Sequence, residues 1–307
     1  MNESLVSVII PTYNWSEALK KSIKTALWQS YKNIEVLVIG DCCTDDSEQV
    51  VKSFNDERVK WHNLEKNSGS QSIPNNYGIK IAKGEFIAHL GHDDIWHPQH
   101  IEFLMKKTND ADFCYSLSLT VGPDDEETVF KNLKKFNGIC AFENKENKLL
   151  FIPPSSWLYR KSIIEKMGSW THYKESSSPP DDDFLLRVNK FYKNRTACSE
   201  KLSVVKFPSA WRENSYIRKP VHQQQKFIEE IEKNNNLLDH YLIAYLNLAC
   251  KRENFKDYLS YYASFAYKAL SYYFYNNRQI NNEMSDNSNS QKGSIVEESR
   301  NYRGLNK

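Results

Sequence analysis

The stretch HLGHDDIWHP, residues 89 to 98, packs His89, His92 and His97 beside the adjacent carboxylates Asp93 and Asp94. Mixed histidine and carboxylate ligands suit zinc or iron, whereas carboxylates alone suit magnesium or manganese held against phosphate oxygens. The first reading is a metal-dependent hydrolase, and the second is an enzyme that handles phosphorylated substrates. Metal sites need ligands that converge in space rather than ligands dense along the chain. His89 falls inside a predicted strand, His97 precedes Pro98 at a helix start, and His100 lies in that helix's first turn. Those three read as structural, which leaves His92 as the functional candidate.

Two further acidic groups accompany this stretch: GDCCTDD from Gly40 and PDDD from Pro180. Asp181, Asp182 and Asp183 either charge the N-terminus of a helix, where acids complement the macrodipole, or supply a general base. Thr12 to Asn14 and Asp41 have the same two readings, as turn and cap residues or as ligand contacts.

The elements that must position these groups follow from apolar periodicity. Leu5 to Ile10 is a short run rich in valine and isoleucine that stops at Pro11, as a buried parallel strand does. Asn14 or Ser16 is placed to cap a helix with Leu19, Ile23, Ala26 and Leu27 on one face. Ile34 to Ile39, a helix bearing Val50, Val51 and Phe54, a short strand near Val59 to Asn63, a helix with Ile73, Tyr77 and Ile81, and a strand at Phe86 to Leu90 continue the alternation. Alternating strands and helices predict a mostly parallel α/β sheet, which binds ligands at the carboxyl ends of its strands. The strand ends are Pro11 to Asn14, Gly40 to Asp45 and Gly91 to Asp94, so groups far apart in sequence are expected on one rim.

Beyond Lys106 the pattern is less regular. A strand is predicted at Ala111 to Val121, then a solvated acidic turn GPDDEE, and after Leu149 to Tyr159 a helix from Lys161 to Met167. From Val221 to Tyr275 the apolar spacing is helical, and the aromatics from Tyr258 onward are expected to pack or to meet a lipid interface. The segment 281–307, rich in Asn and Ser, is expected to be a disordered tail.

Composition narrows the function. Across 307 residues, 41 Lys and Arg balance 39 Asp and Glu, so a net charge of +2 gives no general attraction to nucleic acid or anionic lipid. The cysteines form no CxxC pair, and no apolar run is long enough for a leader or a bilayer span. The expectation is a cytoplasmic protein, any membrane contact being peripheral at the inner face.

The blocks SVIIPTYN, QSYKNIEVLVIGDCCTDDS and NSGSQSIPNNYGIKIAKGEFIAHLGHDD, in that order, resemble the successive blocks of family 2 glycosyltransferases with a GT-A fold, and PDDDFLLRV resembles that family's later acidic block. The resemblance implies a GT-A α/β fold with a C-terminal helical extension. It divides the chain into a nucleotide-sugar half at 1–106, an acceptor half at 107–220, a helical extension at 221–280 and the tail at 281–307. It implies inverting transfer of a sugar from a nucleotide diphosphate donor, usually a UDP-sugar, to a hydroxyl of a glycan, lipid-linked or small-molecule acceptor, in surface glycan or polysaccharide synthesis.

By the same resemblance, Pro11, Thr12, Tyr13, Asn14, Asp41, Asn67, Gly69, Asn76 and His92 are nucleotide contacts, with Asp41 reading the base and Tyr13 stacking on it. Asp93 is the ligand of a Mg²⁺ or Mn²⁺ ion. Asp181 is the catalytic base, counted six residues back from Arg187, or Asp182 if the register slips by one; Asp183 orders the helix. Asp94, Trp211 and Arg212 are candidate acceptor or lid residues. The chain departs from the family pattern at Gly40 and Gly91, where acids are usual, and at Pro180, where Glu is usual. The two glycine replacements suggest a third reading, a catalytically silent module that binds nucleotide sugar without turnover.

Overall fold

Val6–Thr12 forms strand β1, whose residues alternate between two buried faces of the sheet. Val6, Val8 and Ile10 join Leu19, Ile23 and Ala26 of helix α1 (Ser16–Leu27) in one apolar cluster, while Ile9 joins Leu37, Ile39 and Ile79 in the other. A strand covered on both faces is a near-continuous apolar run, as the sequence shows here. The computed structural model describes residues 3–121, 139–140, 152–176, 178–207, 214–243 and 294–305.

The chain continues through β2 (Ile34–Gly40), α2 (Ser47–Ser53), β3 (Val59–Asn63), α3 (Ser72–Ile81) and β4 (Phe86–His89). β1 pairs in parallel with β2 and β4, and β2 with β3; Thr12 stands opposite Gly40, and Gly40 opposite Asn63. The strand ends share one rim, as expected. Then follow β5 (Ile95–Trp96), α4 (His100–Met105), β6 (Phe113–Thr120), β7 (Ile139–Cys140), β8 (Trp157–Arg160), α5 (Ile163–Met167), α6 (Pro180–Tyr192) and β9 (Thr196–Lys206). One mixed sheet runs in the order β3-β2-β1-β4-β8-β6-β9-β5, with β7 beside β6. The halves drawn at residues 106 and 107 therefore share a sheet, β4 pairing antiparallel with β8.

Three short helices close the description: α7 (Ser215–Arg218), α8 (His222–Lys233) and α9 (Ser294–Arg303). Residues 1–239 and 293–307 form one compact unit and residues 240–292 another. Helix α9 departs from the tail expected at 281–307. Its polar composition hides a fold that is stabilised by tertiary contacts: Tyr173 Oη donates to Glu297 Oε2 at 3.2 Å, and the backbone N–H of Asn214 donates to the Tyr302 carbonyl at 2.9 Å. The acidic turn GPDDEE, Trp211, Arg212 and the aromatics from Tyr258 to Tyr275 lie outside the described residues. Among the described residues no helix is long and apolar enough to cross a membrane.

The caps also differ from expectation. Neither Asn14 nor Ser16 caps α1 with its side chain; Asp45, 29 residues beyond Ser16, accepts from the Ser16 N–H at 3.1 Å and from the Ser47 N–H at 3.1 Å. One carboxylate thus serves the first turns of both α1 and α2, near two positive helix ends.

Candidate active site

The histidines of residues 89 to 100 separate rather than converge. His89 is buried with Nε2 2.8 Å from Tyr159 Oη, and burial pushes its pKa down to about 3. His97 Nε2 lies 2.7 Å from the Asn235 carbonyl, and His100 Nδ1 lies 2.8 Å from Ser203 Oγ. Among the described residues no group of three or more His, Cys, Asp or Glu side chains could hold a metal ion. The hydrolase reading fails here, because density in sequence is not convergence in space.

His92 sits at the rim and is committed on both ring nitrogens. Nδ1 lies 3.0 Å from Thr12 Oγ1 at the end of β1, and Nε2 lies 3.3 Å from Tyr216 Oη on α7. A neutral imidazole has one donor and one acceptor, and hydroxyls can complement both. Burial favours that neutral form by lowering the His92 pKa, against the opposing pull of Asp93 and Asp94. His92 is therefore a bridge between β1 and α7. Trp15 and Tyr216 complete an aromatic group around it, their rings 5.3 Å apart, and Tyr13 stands 6.5 Å from Tyr216.

Asp41, at the end of β2, is 5% exposed and already accepts hydrogen bonds. The Ser68 N–H reaches Oδ1 at 2.9 Å, Ser68 Oγ reaches Oδ2 at 3.0 Å, and the Gly69 N–H reaches Oδ2 at 3.2 Å. Desolvation raises its pKa despite these bonds and the nearby Arg300. Asn67 Oδ1 accepts from the Gly69 N–H at 2.8 Å, and Gly69 has φ +71°, which a side chain would strain. Asp41 thus fixes the Asn67 to Gly69 turn. Asn14 likewise stitches β1 to the loop after β2, its Oδ1 accepting from the Thr44 N–H at 2.7 Å. Asn76 spends its amide on the backbone of Trp170, donating at 2.9 Å and accepting at 2.9 Å. Pro11 is partly buried within β1 itself.

Both glycine departures have a packing cause. A Cβ on Gly40 would lie 2.6 Å from Asn63 Oδ1 and 2.6 Å from the Trp61 ring, so β3 fills the place of the missing acid. A Cβ on Gly91 would lie 2.9 Å from Asp94 Oδ2 and 3.2 Å from Asp93 Oδ1.

Asp93 and Asp94 are adjacent but differ in role. Asp94 is fully buried and accepts from Ser155 Oγ at 2.5 Å, from the Phe207 N–H at 3.1 Å and from Lys206 Nζ at 3.2 Å. It cannot meet an acceptor, contrary to the expectation from sequence, because its oxygens tie the rim to the end of β9. Asp93 keeps a partly exposed carboxylate, and its carbonyl accepts from Gln224 Nε2 at 2.6 Å. Burial, which lowers the Lys206 pKa, is outweighed by Asp94, Asp93 and Asp181, so that pKa is raised.

Helix α6 brings the second acidic group to the same place. Phe184 anchors its first turn, stacking 5.4 Å from Trp157 and 5.0 Å from Trp170. Asp183 is spent on structure: it accepts from Thr171 Oγ1 at 2.7 Å and pairs with Arg187 at 2.8 Å, while Arg187 also donates to the Met167 carbonyl at 2.8 Å. Asp181 and Asp182 remain. Desolvation raises both carboxyls, and the Asp181 charge helps push Asp182 up to about 7. The charges of Lys206 and Arg303 oppose that rise at Asp181. Lys206, Tyr216, Ser155, Arg300 and Arg303 carry no motif; only the folded chain brings them to the rim.

An open mixed sheet whose strand ends gather carboxylates, an aromatic group and a glycine turn is a GT-A-type α/β architecture. The Glycosyl transferase family 2 model matches residues 7–168, and the chain belongs to that family. TarP, a poly(ribitol-phosphate) β-N-acetylglucosaminyltransferase of Staphylococcus aureus, is 30% identical over 167 residues, covering 52% of this chain and 50% of TarP. GlyG, a glycosyltransferase of Streptococcus pneumoniae, is 36% identical over 162 residues, covering 52% of this chain and 54% of GlyG. A Rickettsia conorii glycosyltransferase is 34% identical over 157 residues, 50% of this chain but 23% of that protein. The chain thus matches from about a quarter to about half of the length of these relatives. The crystal structure of Staphylococcus aureus TarS residues 1–349 in complex with UDP shares the fold, with a TM-score of 0.52, 24% identity and coverage of 66% of this chain and 60% of that one.

Proposed function

We propose that this chain transfers a sugar from a nucleotide diphosphate donor, a UDP-sugar, to an acceptor hydroxyl with inversion at the anomeric carbon, in the synthesis of a surface glycan. What supports the reading is the family 2 match together with the acids of its blocks at the strand ends, where Lys206 Nζ pairs with Asp94 Oδ2 at 3.2 Å and its charge favours the ionised form of Asp181 in the first turn of α6. Asp181 would take the acceptor's hydroxyl proton while the acceptor oxygen bonds to the anomeric carbon and the bond to the donor phosphate breaks. The acceptor is a glycan, lipid-linked or small-molecule hydroxyl. The similarity to TarP, a poly(ribitol-phosphate) β-N-acetylglucosaminyltransferase, and to the glycosyltransferase GlyG supports a role in glycan assembly.

The donor set fits a hard cation and not zinc. Asp94 and the ring nitrogens of His92 are committed to protein partners, Asp93 is the partly exposed acid beside them, and Mg²⁺ binds through one or two carboxylates with substrate phosphates and water. Asp93 would hold Mg²⁺ or Mn²⁺, which when bound would neutralise charge on the diphosphate.

A panel of UDP-, GDP- and dTDP-sugars with Mn²⁺ tests the reading, with binding followed by calorimetry and the product's anomeric configuration by NMR. Expected is binding of a UDP-sugar and a product of inverted configuration. Binding without turnover on any acceptor would support the silent module, and a product of retained configuration would remove Asp181 from the role of base.

A further inference from the structure

Helix α9 contacts the Asn67 to Gly69 turn and helix α7, which in turn hydrogen-bond to Asp41 and His92 of the rim. Arg300 Nη1 donates to the carbonyl of Gly69, and a Cβ on Gly69 would lie 2.7 Å from that nitrogen, so the turn and the guanidinium are in close contact. One turn further along the helix, the Arg303 guanidinium stands 5.9 Å over the Tyr216 ring, whose hydroxyl lies 3.3 Å from His92 Nε2. Arg303 Nε also donates to the Ser299 carbonyl at 3.2 Å, which holds the guanidinium near the helix axis. Gly304, with φ +80°, ends the helix where a Cβ would strike Ile217 of α7 at 2.8 Å.

The charge at this rim needs such a helix. Asp93, Asp181 and Asp182 are partly exposed and Asp41 and Asp94 lie buried beside them, and a nucleoside diphosphate would add more negative charge. Lys206 is paired with Asp94. Among the described residues, Arg300 and Arg303 of α9 act on rim groups from outside the sheet, Arg300 on Asp41 and Arg303 on Asp181 and His92. A guanidinium suits the task, since its planar donors match phosphate oxygens and its charge does not titrate.

We propose that α9 is the outer wall of the donor site: Arg303 binds the diphosphate of the nucleotide sugar, and Arg300 holds the Asn67 to Gly69 turn beside the nucleoside. This rests on the donor reading above and adds to it a phosphate-binding residue from the far C-terminal end. Arg303 is a direct binding residue, and Arg300 a positioning residue that acts through Gly69.

Calorimetry on the full chain with uridine and with UDP separates the two roles. Arg303→Met is expected to weaken UDP about 10- to 100-fold, the value of a lost charge-assisted hydrogen bond, and to leave uridine unchanged. Arg303→Lys should recover part of the loss. Arg300→Met is expected to weaken uridine and UDP by the same factor. Melting temperatures within a few degrees of wild type show that the variants are folded. Equal UDP affinity in wild type and Arg303→Met, both folded, overturns the proposal; so does tighter UDP binding in the variant, which would make α9 a plug. Failure of the wild type to bind either ligand instead defeats the donor reading, and this proposal with it.

Discussion

Lys206 Nζ lies 3.2 Å from Asp94 Oδ2, joining the last residue of β9 to the loop after β4 at a carboxylate with no solvent exposure. The same carboxylate accepts from Ser155 and Phe207. A buried charge that loses its partner keeps its desolvation cost. Asp94→Ala strips the acceptor from Lys206, Ser155 and Phe207 together, and the expected loss of stability is about 3 kcal/mol, read from the urea midpoint at constant m-value. A loss below about 1 kcal/mol, the range of an exposed pair, would show that the cluster is hydrated.

Asp41 tests whether a rim acid reads a base or only holds a turn. Its oxygens take the Ser68 N–H, Ser68 Oγ and the Gly69 N–H, so Asp41→Ala loosens the turn whatever it does to the nucleotide. Ser68→Ala removes one of those donors and leaves the carboxylate. The expected outcome is that Asp41→Ala weakens UDP about 10-fold or more while Ser68→Ala costs about 3-fold or less, since one neutral hydrogen bond has a small net value. Equal losses in titrations of the two variants would reduce Asp41 to a support for Asn67 to Gly69.

Much of the nucleotide half was legible because its signals are local. β1, α1, β2 and β4 follow from runs and stripes that bury Val6, Val8, Ile10, Leu19 and Ile23, and strand-end logic then places Thr12, Asp41 and Asp93 on one rim. Position on the rim does not reveal orientation. Asp93 and Asp94 look equivalent in sequence, yet Asp94 is turned inward by Ser155 from the segment before β8, 61 residues away. Lys206 was invisible for a related reason: its place depends on β6 pairing with β9, where the register shifts between Tyr115 and Ser118. Helix α9 has few apolar residues, and its contacts come from Tyr173, Gly69 and Asn214, so no window of its own sequence announces it.

Asp93 makes a metal prediction. Asp93→Asn keeps the side-chain size but removes the anionic oxygen that suits a hard cation. Donor titrations across Mg²⁺ and Mn²⁺ concentrations are expected to show weaker metal-dependent UDP binding in the variant, partly restored by excess Mn²⁺. Chelation should lower the wild-type affinity toward that of the variant. Identical metal titrations in the two proteins would move the cation, if one acts, away from Asp93.

The pair Asp181 and Asp182 makes a prediction about pH. Both carboxyls are raised above their ordinary 3.8, Asp182 to about 7, with desolvation as the main cause. Between about 3.8 and 7 the folded chain binds more protons than the unfolded chain. This is the reverse of a salt-bridged acid, so the pair's contribution to stability falls as pH rises through that window. Activity should move the other way, because a general base works only when ionised: turnover should rise with pH through the raised Asp181 pKa and then level. Asp181→Asn is expected to lower turnover roughly 10²-fold or more with UDP affinity retained. Asp182→Asn is expected to keep turnover and shift the acid limb to lower pH, since each charge opposes ionisation of the other. Initial rates from pH 5 to 9 on both variants decide the assignment. An active Asp181→Asn beside an inactive Asp182→Asn would give the role of base to Asp182, and full activity in both would leave the first turn of α6 as a charged helix start.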